Sequence, residues 1–136
     1  DYISKKISKA NIHDNVILLG SISTEELVSV FKKCNCVVIP SRSETISLVL
    51  FEALNFDKDL IVTDVGDMGY LAREYKIAEV VPPQNPTALK ETMKKIILRE
   101  VKIDREKYKD KHVQLKQLLN MEASVDRFLC AVKEIK

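Results

Sequence analysis

The sequence predicts an α/β fold built on a parallel sheet, and three observations carry that expectation. Short apolar runs recur along the chain: "NVILLG" (15–20), "CVVIP" (36–40), "LIVT" (60–63) and "AEVV" (78–81). They are continuous where a half-exposed strand would alternate, as strands buried on both faces require. Segments of helical spacing separate them, and strand, helix, strand, helix is the order of parallel α/β folds. With 136 residues, 46% hydrophobic and 31% charged, one soluble domain is expected, long enough to bury roughly two thirds of its unfolded surface.

Each element follows from local chemistry. "DYISKKISKA" reads as the end of a helix, and "NVILLG" as a short buried strand closed by Gly20. In "SISTEELVSVFKK", Ser23 followed three residues later by Glu26 is a capping-box signature, with Leu27, Val30 and Phe31 at helical spacing behind it. "CVVIP" is a second buried strand, stopped by Pro40, which cannot continue a central ladder. A helix over about 46–55 follows, and then the strand "LIVT". "DVGDMGY" is turn chemistry around Gly66 and Gly69, leading to a short helix through "YLARE". "AEVV" ends at Pro82 and Pro83. In "NPTALKETMKKIILRE", Asn85 can cap and Pro86 takes the first helical position, where its missing N–H costs nothing. Further helical stretches are expected at about 104–119 and 121–135.

Charge and cysteine content exclude several classes. The net charge of +2 and pI of about 8.4 give no field strong enough to argue for nucleic acid. The balance is uneven: residues 1–83 hold 9 Lys/Arg against 12 Asp/Glu, and residues 84–136 hold 13 against 8. Such a basic half could face an anionic membrane leaflet, although a solvated helical face is the plainer reading. Three cysteines are too few for a disulfide framework, and their odd number points to a reducing compartment, the cytoplasm. Cys34 and Cys36 form a C-x-C pair with no second Cys or His pair nearby to complete a zinc site. Two histidines, His13 and His112, leave little for a triad. No apolar run approaches the roughly 20 residues of a membrane span. The chain begins with Asp1 and not methionine, which suits a piece of something longer.

In α/β folds ligands sit at the carboxyl ends of the strands, and "IPSRSETISLVLFEALN" (39–55) lies just beyond the second one. The helix that follows has first N–H groups, about Ile46 to Leu48, without partners inside the helix. Those donors and the helix dipole suit a phosphate. Glu44, ahead of that terminus, can accept hydrogen bonds from hydroxyls held beside the phosphate, and Glu52 can do so from further along the helix. A polyhydroxylated ligand with phosphate in its middle would use all three. From composition alone, the plainer reading stands beside this one: a loop carboxylate near Arg42 and an exposed helix residue.

The stretch "NVILLGSISTEELVSVFKKCNCVVIPSRSETISLVLFEALNFDKDLIVTDVG" resembles the carboxyl-terminal domain of the retaining glycosyltransferases of family 4, also called group 1. The resemblance covers about residues 2–130. Its most specific part is the spacing of Glu44 and Glu52, seven residues between them, after "PS" and ahead of another apolar strand. It implies a Rossmann-like doubly wound parallel sheet, the C-terminal half of the two-domain GT-B architecture. Residues 1–136 would then be a partial nucleotide-sugar-binding domain whose N-terminal acceptor domain is absent. The resemblance assigns the donor sugar's hydroxyls to Glu44, as the catalytic-site carboxylate, and the diphosphate to the backbone of Ile46, Ser47 and Leu48. It assigns the nucleotide ribose to Glu52, and places the loops at Gly20 and Ser41 along the nucleotide. It implies no cofactor and no metal ion, a UDP-sugar or GDP-sugar donor, and an acceptor that is often a lipid-linked sugar. The activity implied is hexosyl transfer in bacterial surface polysaccharide assembly (O-antigen, lipopolysaccharide or capsule), at the inner face of the cytoplasmic membrane. The basic helices after residue 84 could then lie near the leaflet.

Several positions depart from that pattern. Ser47 stands where the family usually has glycine; "DKD" (57–59) replaces the usual "G-x-P"; the second "G-G" is Gly66–Asp67; and Tyr70 occupies a position that is often acidic. The family's first two strand–helix units, whose Arg and Lys neutralise the diphosphate, have no counterpart here. The isolated chain is therefore expected to be inactive, with its sheet completed by a longer protein or by another copy through swapping or edge pairing. Two other readings remain. One is a catalytically inactive binding or assembly module of the same GT-B-like fold, favoured by the altered turns. The other is an unrelated doubly wound signalling domain with Asp57 and Asp59 in an acidic pocket.

Overall fold

The computed structural model describes residues 2–45 and 47–118. They fall into two compact units divided between Lys32 and Lys33. The first unit holds α1 (Tyr2–Ala10), a short 3-10 turn at His13–Asn15 and most of α2 (Thr24–Lys33). The capping box forms as the sequence predicts. Glu26 N–H donates to the Ser23 hydroxyl at 3.2 Å, and Ser23 N–H donates to the Glu26 carboxylate at 2.8 Å. Two orphan donors at the start of α2 are thereby satisfied reciprocally.

The "NVILLG" strand does not form. Residues 16–20 carry no ladder, and Ile17, Leu18 and Leu19 are exposed by 82%, 50% and 51%. A parallel strand exists only against a neighbour that supplies its hydrogen bonds, and among the described residues this segment has none. Its apolar run is a strand sequence without a partner.

The second unit is built on a three-stranded parallel sheet of order β1 (Cys36–Ile39), β2 (Asp59–Thr63), β3 (Glu79–Val81). Cys36 pairs with Asp59 and Ile39 with Val62 across one ladder, and Ile61 pairs with Glu79 across the other. Leu60, Ile61 and Val62 are all fully buried. Successive strand residues point to opposite faces, so both faces of β2 are covered. The helices α3 (Leu48–Asn55), α4 (Gly66–Tyr75) and α5 (Pro86–Ile97) pack on the sheet, and α6 (Lys109–Leu118) packs on α4. The core of this unit is made by Leu50, Ala53 and Leu54 of α3, Met68 and Ala72 of α4, and Leu115 of α6 around β2.

Helix boundaries shift for identifiable reasons. α3 starts at Leu48, later than expected, because the Ser47 hydroxyl accepts from Leu50 N–H and fixes the cap there. α4 starts earlier than "YLARE": the turn residues Gly66 and Gly69 both lie within it. α5 is capped as expected, with Ala88 N–H donating to Asn85 Oδ1 at 2.9 Å and Pro86 at the helix start. α6 begins at Lys109, not 104, since Asp104 turns the chain first by accepting from Lys107 N–H. The expected helix over 121–135 lies outside the described residues. Asp57, which replaces the family's glycine, adopts φ +52; an aspartate tolerates this left-handed conformation, but glycine would adopt it without strain.

Candidate functional site

At the carboxyl end of β1 the chain leaves the sheet through Pro40 and runs as an irregular loop to the Ser47 cap of α3. This loop is held from behind by the next strand–helix junction. The Thr63 hydroxyl, at the end of β2, donates to the Ser41 carbonyl at 2.6 Å and lies 3.4 Å from the Ile39 carbonyl. Asp67 N–H, in the first turn of α4, reaches the Thr45 carbonyl at 3.4 Å. Gly66 lies against the Glu44 carbonyl, and a Cβ built there would overlap that oxygen. The glycine is required both by this approach and by its φ of +51.

Most of the sequence-predicted residues fall within this one segment. Ser41 and Glu44 are half-buried in the loop, Ser47 is buried as the cap, and Leu48 opens α3 with its side chain 74% exposed. Glu52 is exposed, one helical turn beyond Leu48 and about 6 Å further along the axis. Leu50, Ala53 and Leu54 face the core, so Leu48 and Glu52 share the outward side of the helix. Leu50 N–H is taken by the cap; Leu48 and Val49 carry the preceding N–H groups of the helix terminus, which have no partner within the helix. Ile46 lies outside the described residues. Gly20 belongs to the first unit, where it adopts φ +65 with open space at its Cβ position.

Sequence reasoning missed Thr63 and underread Gly66. Thr63 looked like the last residue of an apolar strand, and only its burial, at 4% exposure, beneath Ser41 shows what its hydroxyl does. The junction is braced further by Asp64, whose carboxylate accepts from Arg73 at 2.7 Å; that hydrogen bond holds the Asp64 carboxyl below its usual range. Gly69 lets α4 pass directly over Asp64, whose carboxylate a Cβ at 69 would overlap. A separate cleft of about 380 Å³ opens over the strand ends between Pro40, Arg42, Thr63 and the Val81–Pro86 turn. Glu44 and Glu52 do not line it. Cys36 is half-buried, and burial, with Asp59 and Cys34 nearby, pushes its thiol up to about 11. Among the described residues no group of three or more His, Cys, Asp or Glu is placed to hold a metal ion.

A parallel α/β sheet with a carboxylate-bearing loop and a helix N-terminus at a strand's carboxyl end is the arrangement in which open α/β domains place their ligand sites. Comparison with known proteins specifies the family. Residues 1–114 match the model of the family "Glycosyl transferases group 1", and the chain belongs to that family. An uncharacterized glycosyltransferase of Methanocaldococcus jannaschii is 33% identical over 99 residues, covering 71% of this chain and 28% of that protein. The O-antigen chain mannosyltransferase C of Escherichia coli is 32% identical over 85 residues, covering 60% of this chain and 23% of that protein. Among solved structures, sucrose-phosphate synthase of Thermosynechococcus elongatus superposes with a TM-score of 0.77 at 24% identity, over 98% of this chain and 33% of that one. The fold is therefore that of the GT-B glycosyltransferases. The chain spans about a quarter to a third of the length of these relatives.

Proposed function

We propose that this chain is the donor-binding part of a retaining glycosyltransferase that moves a hexosyl group from a UDP- or GDP-sugar to an acceptor hydroxyl. The observation that carries the reading is the placement of Glu44, the first N–H groups of α3 at Leu48 and Val49, and Glu52 in succession along one loop and one helix face. Glu44 takes the donor sugar's hydroxyls, the helix terminus the diphosphate, and Glu52 the ribose. As the bond from the anomeric carbon to the diphosphate oxygen breaks, the electron pair leaves with the diphosphate, the acceptor oxygen bonds to the anomeric carbon, and the acceptor's proton passes to the departing diphosphate. The N-terminal dipole and N–H groups of α3 stabilise that growing charge without a metal ion. The acceptor belongs to a separate domain of a longer protein, so these 136 residues bind donor weakly and turn nothing over. The O-antigen relative favours surface polysaccharide as the product.

Two substitutions test the reading by ligand-observed NMR and calorimetry with UDP and GDP. Glu52→Ala is expected to weaken the nucleotide it binds by about 10-fold or more, the loss of a charged hydrogen bond to ribose. Leu48→Pro removes one phosphate-facing N–H at the helix position where proline is tolerated, and Ser47 already has the extended backbone, φ −89 and ψ 114, that a residue before proline needs. A several-fold weaker affinity for diphosphate in Leu48→Pro, with Leu48→Ala unchanged, is expected. No binding of either nucleotide would instead favour an assembly module of the same fold.

The membrane-facing part of the proposal rests on α5. Ile97 and Leu98 are 75% and 66% exposed at its end, among the exposed Lys94, Lys95 and Lys102. Apolar side chains set among cations suit an anionic leaflet, where each lysine contributes about 1 kcal/mol. Exchanging these three lysines for glutamine should lower partitioning to vesicles containing phosphatidylglycerol by about two orders of magnitude. Unchanged partitioning removes the membrane from the proposal.

A further inference from the structure

We infer that Thr63 and Gly66 are positioning residues for Glu44, so that the junction between β2 and α4 sets how the site reads the donor sugar. The inference rests on the donor-binding role proposed above and adds a mechanism for its selectivity.

The ladder between β1 and β2 ends at the pair Ile39 and Val62. Beyond it the β1 chain has no strand geometry of its own, and Pro40 has no N–H to continue the ladder. Thr63 takes over at that point. Its hydroxyl has a single proton to donate, and the 2.6 Å distance assigns that proton to the Ser41 carbonyl, with the Ile39 carbonyl at 3.4 Å as a second, longer neighbour. The side chain thus extends the attachment of the two chains past the last backbone pair.

Three residues further on, Gly66 supports Glu44 from below. Its missing side chain leaves the space that the Glu44 carbonyl occupies, and Asp67 N–H binds the carbonyl of the next residue, Thr45. The loop is therefore held at Ser41, Glu44 and Thr45 by residues 63, 66 and 67. Glu52 is anchored differently, through the buried Leu50, Ala53 and Leu54 of its own helix. Loosening the junction should consequently disturb the sugar end of the site and spare the nucleotide end. A residue with a merely structural role would disturb both.

The test compares Thr63→Val, which keeps the shape and removes the hydroxyl, with Thr63→Ser, which keeps the hydroxyl, and with Gly66→Ala. Dissociation constants are measured by ligand-observed NMR for UDP, GDP, UDP-glucose and GDP-mannose, on this chain and on the longer protein with its acceptor domain. In Thr63→Val the affinity for the nucleotide sugar relative to its bare nucleotide is expected to fall about 10-fold. Bare nucleotide binding should stay within about twofold, and Thr63→Ser should restore the ratio. Gly66→Ala should show the same split if it folds; the two threonine variants decide the matter if it does not. Equal weakening of sugar and nucleotide, or an unchanged ratio in Thr63→Val, overturns the inference. If instead Glu44→Ala leaves the ratio unchanged, or the native protein binds none of the four ligands, the donor-site reading itself fails and takes this inference with it.

Discussion

Glu44→Ala in the longer protein is expected to lower kcat/KM for sugar transfer by about 10- to 100-fold, with binding of the bare nucleoside diphosphate within about twofold of the native value. The magnitude follows from the bond at stake. A carboxylate accepting from a sugar hydroxyl contributes about 1.5–3 kcal/mol, and each 1.4 kcal/mol is a factor of about ten. The expected separation of sugar from nucleotide rests on the roles proposed for the two carboxylates and on their placement, Glu44 in the loop and Glu52 on a helix with its own core contacts. Half-buried Glu44 forms no ion pair among the described residues, so its loss should leave the unfolding midpoint nearly unchanged. Because Thr63 acts through Glu44, adding Thr63→Val to Glu44→Ala should cost far less than the product of the two single effects. Transfer within twofold of native in Glu44→Ala would remove the donor-sugar role from this residue.

The legible part of this molecule was its local chemistry. The Ser23–Glu26 box and the Asn85–Pro86 start depend on residues close in sequence, and each formed. The apolar runs that became β1, β2 and β3 were legible by pattern and also found ladder partners. The run at 16–20 reads the same way by pattern, but a ladder partner is a long-range requirement that no window of sequence contains. The same distinction divides the candidate site. Glu44 and Glu52 could be named from their spacing and from resemblance, whereas Thr63 and Gly66 act across 22 residues on Ser41 and on Glu44. Gly66 left a trace, since a glycine after a strand suggests either a turn or a close approach, and here it provides both. Thr63 left none: a threonine ending an apolar strand is ordinary until its hydroxyl is seen beneath a carbonyl.

Leu60→Ala is expected to destabilise the sheet-containing unit by about 2–5 kcal/mol, a large fraction of the ~5–15 kcal/mol that holds a domain of this size together. Leu60 lies in β2, the strand with a hydrogen-bonded neighbour on each side, and is fully buried opposite Val37. Its neighbours Ile61 and Val62 are equally buried, so the chain has little freedom to collapse into the space that the lost methyl groups leave. Leu48→Ala removes the same atoms from a side chain that is 74% exposed, and should change stability by no more than about 0.5 kcal/mol. The pair is read from urea midpoints at constant m-value. Similar losses at both positions would mean that Leu48 is covered and that α3 does not present its first turn to a ligand. A large difference between them keeps that turn open, with Glu52 beside it, on a helix held in place by the same core that Leu60 fills.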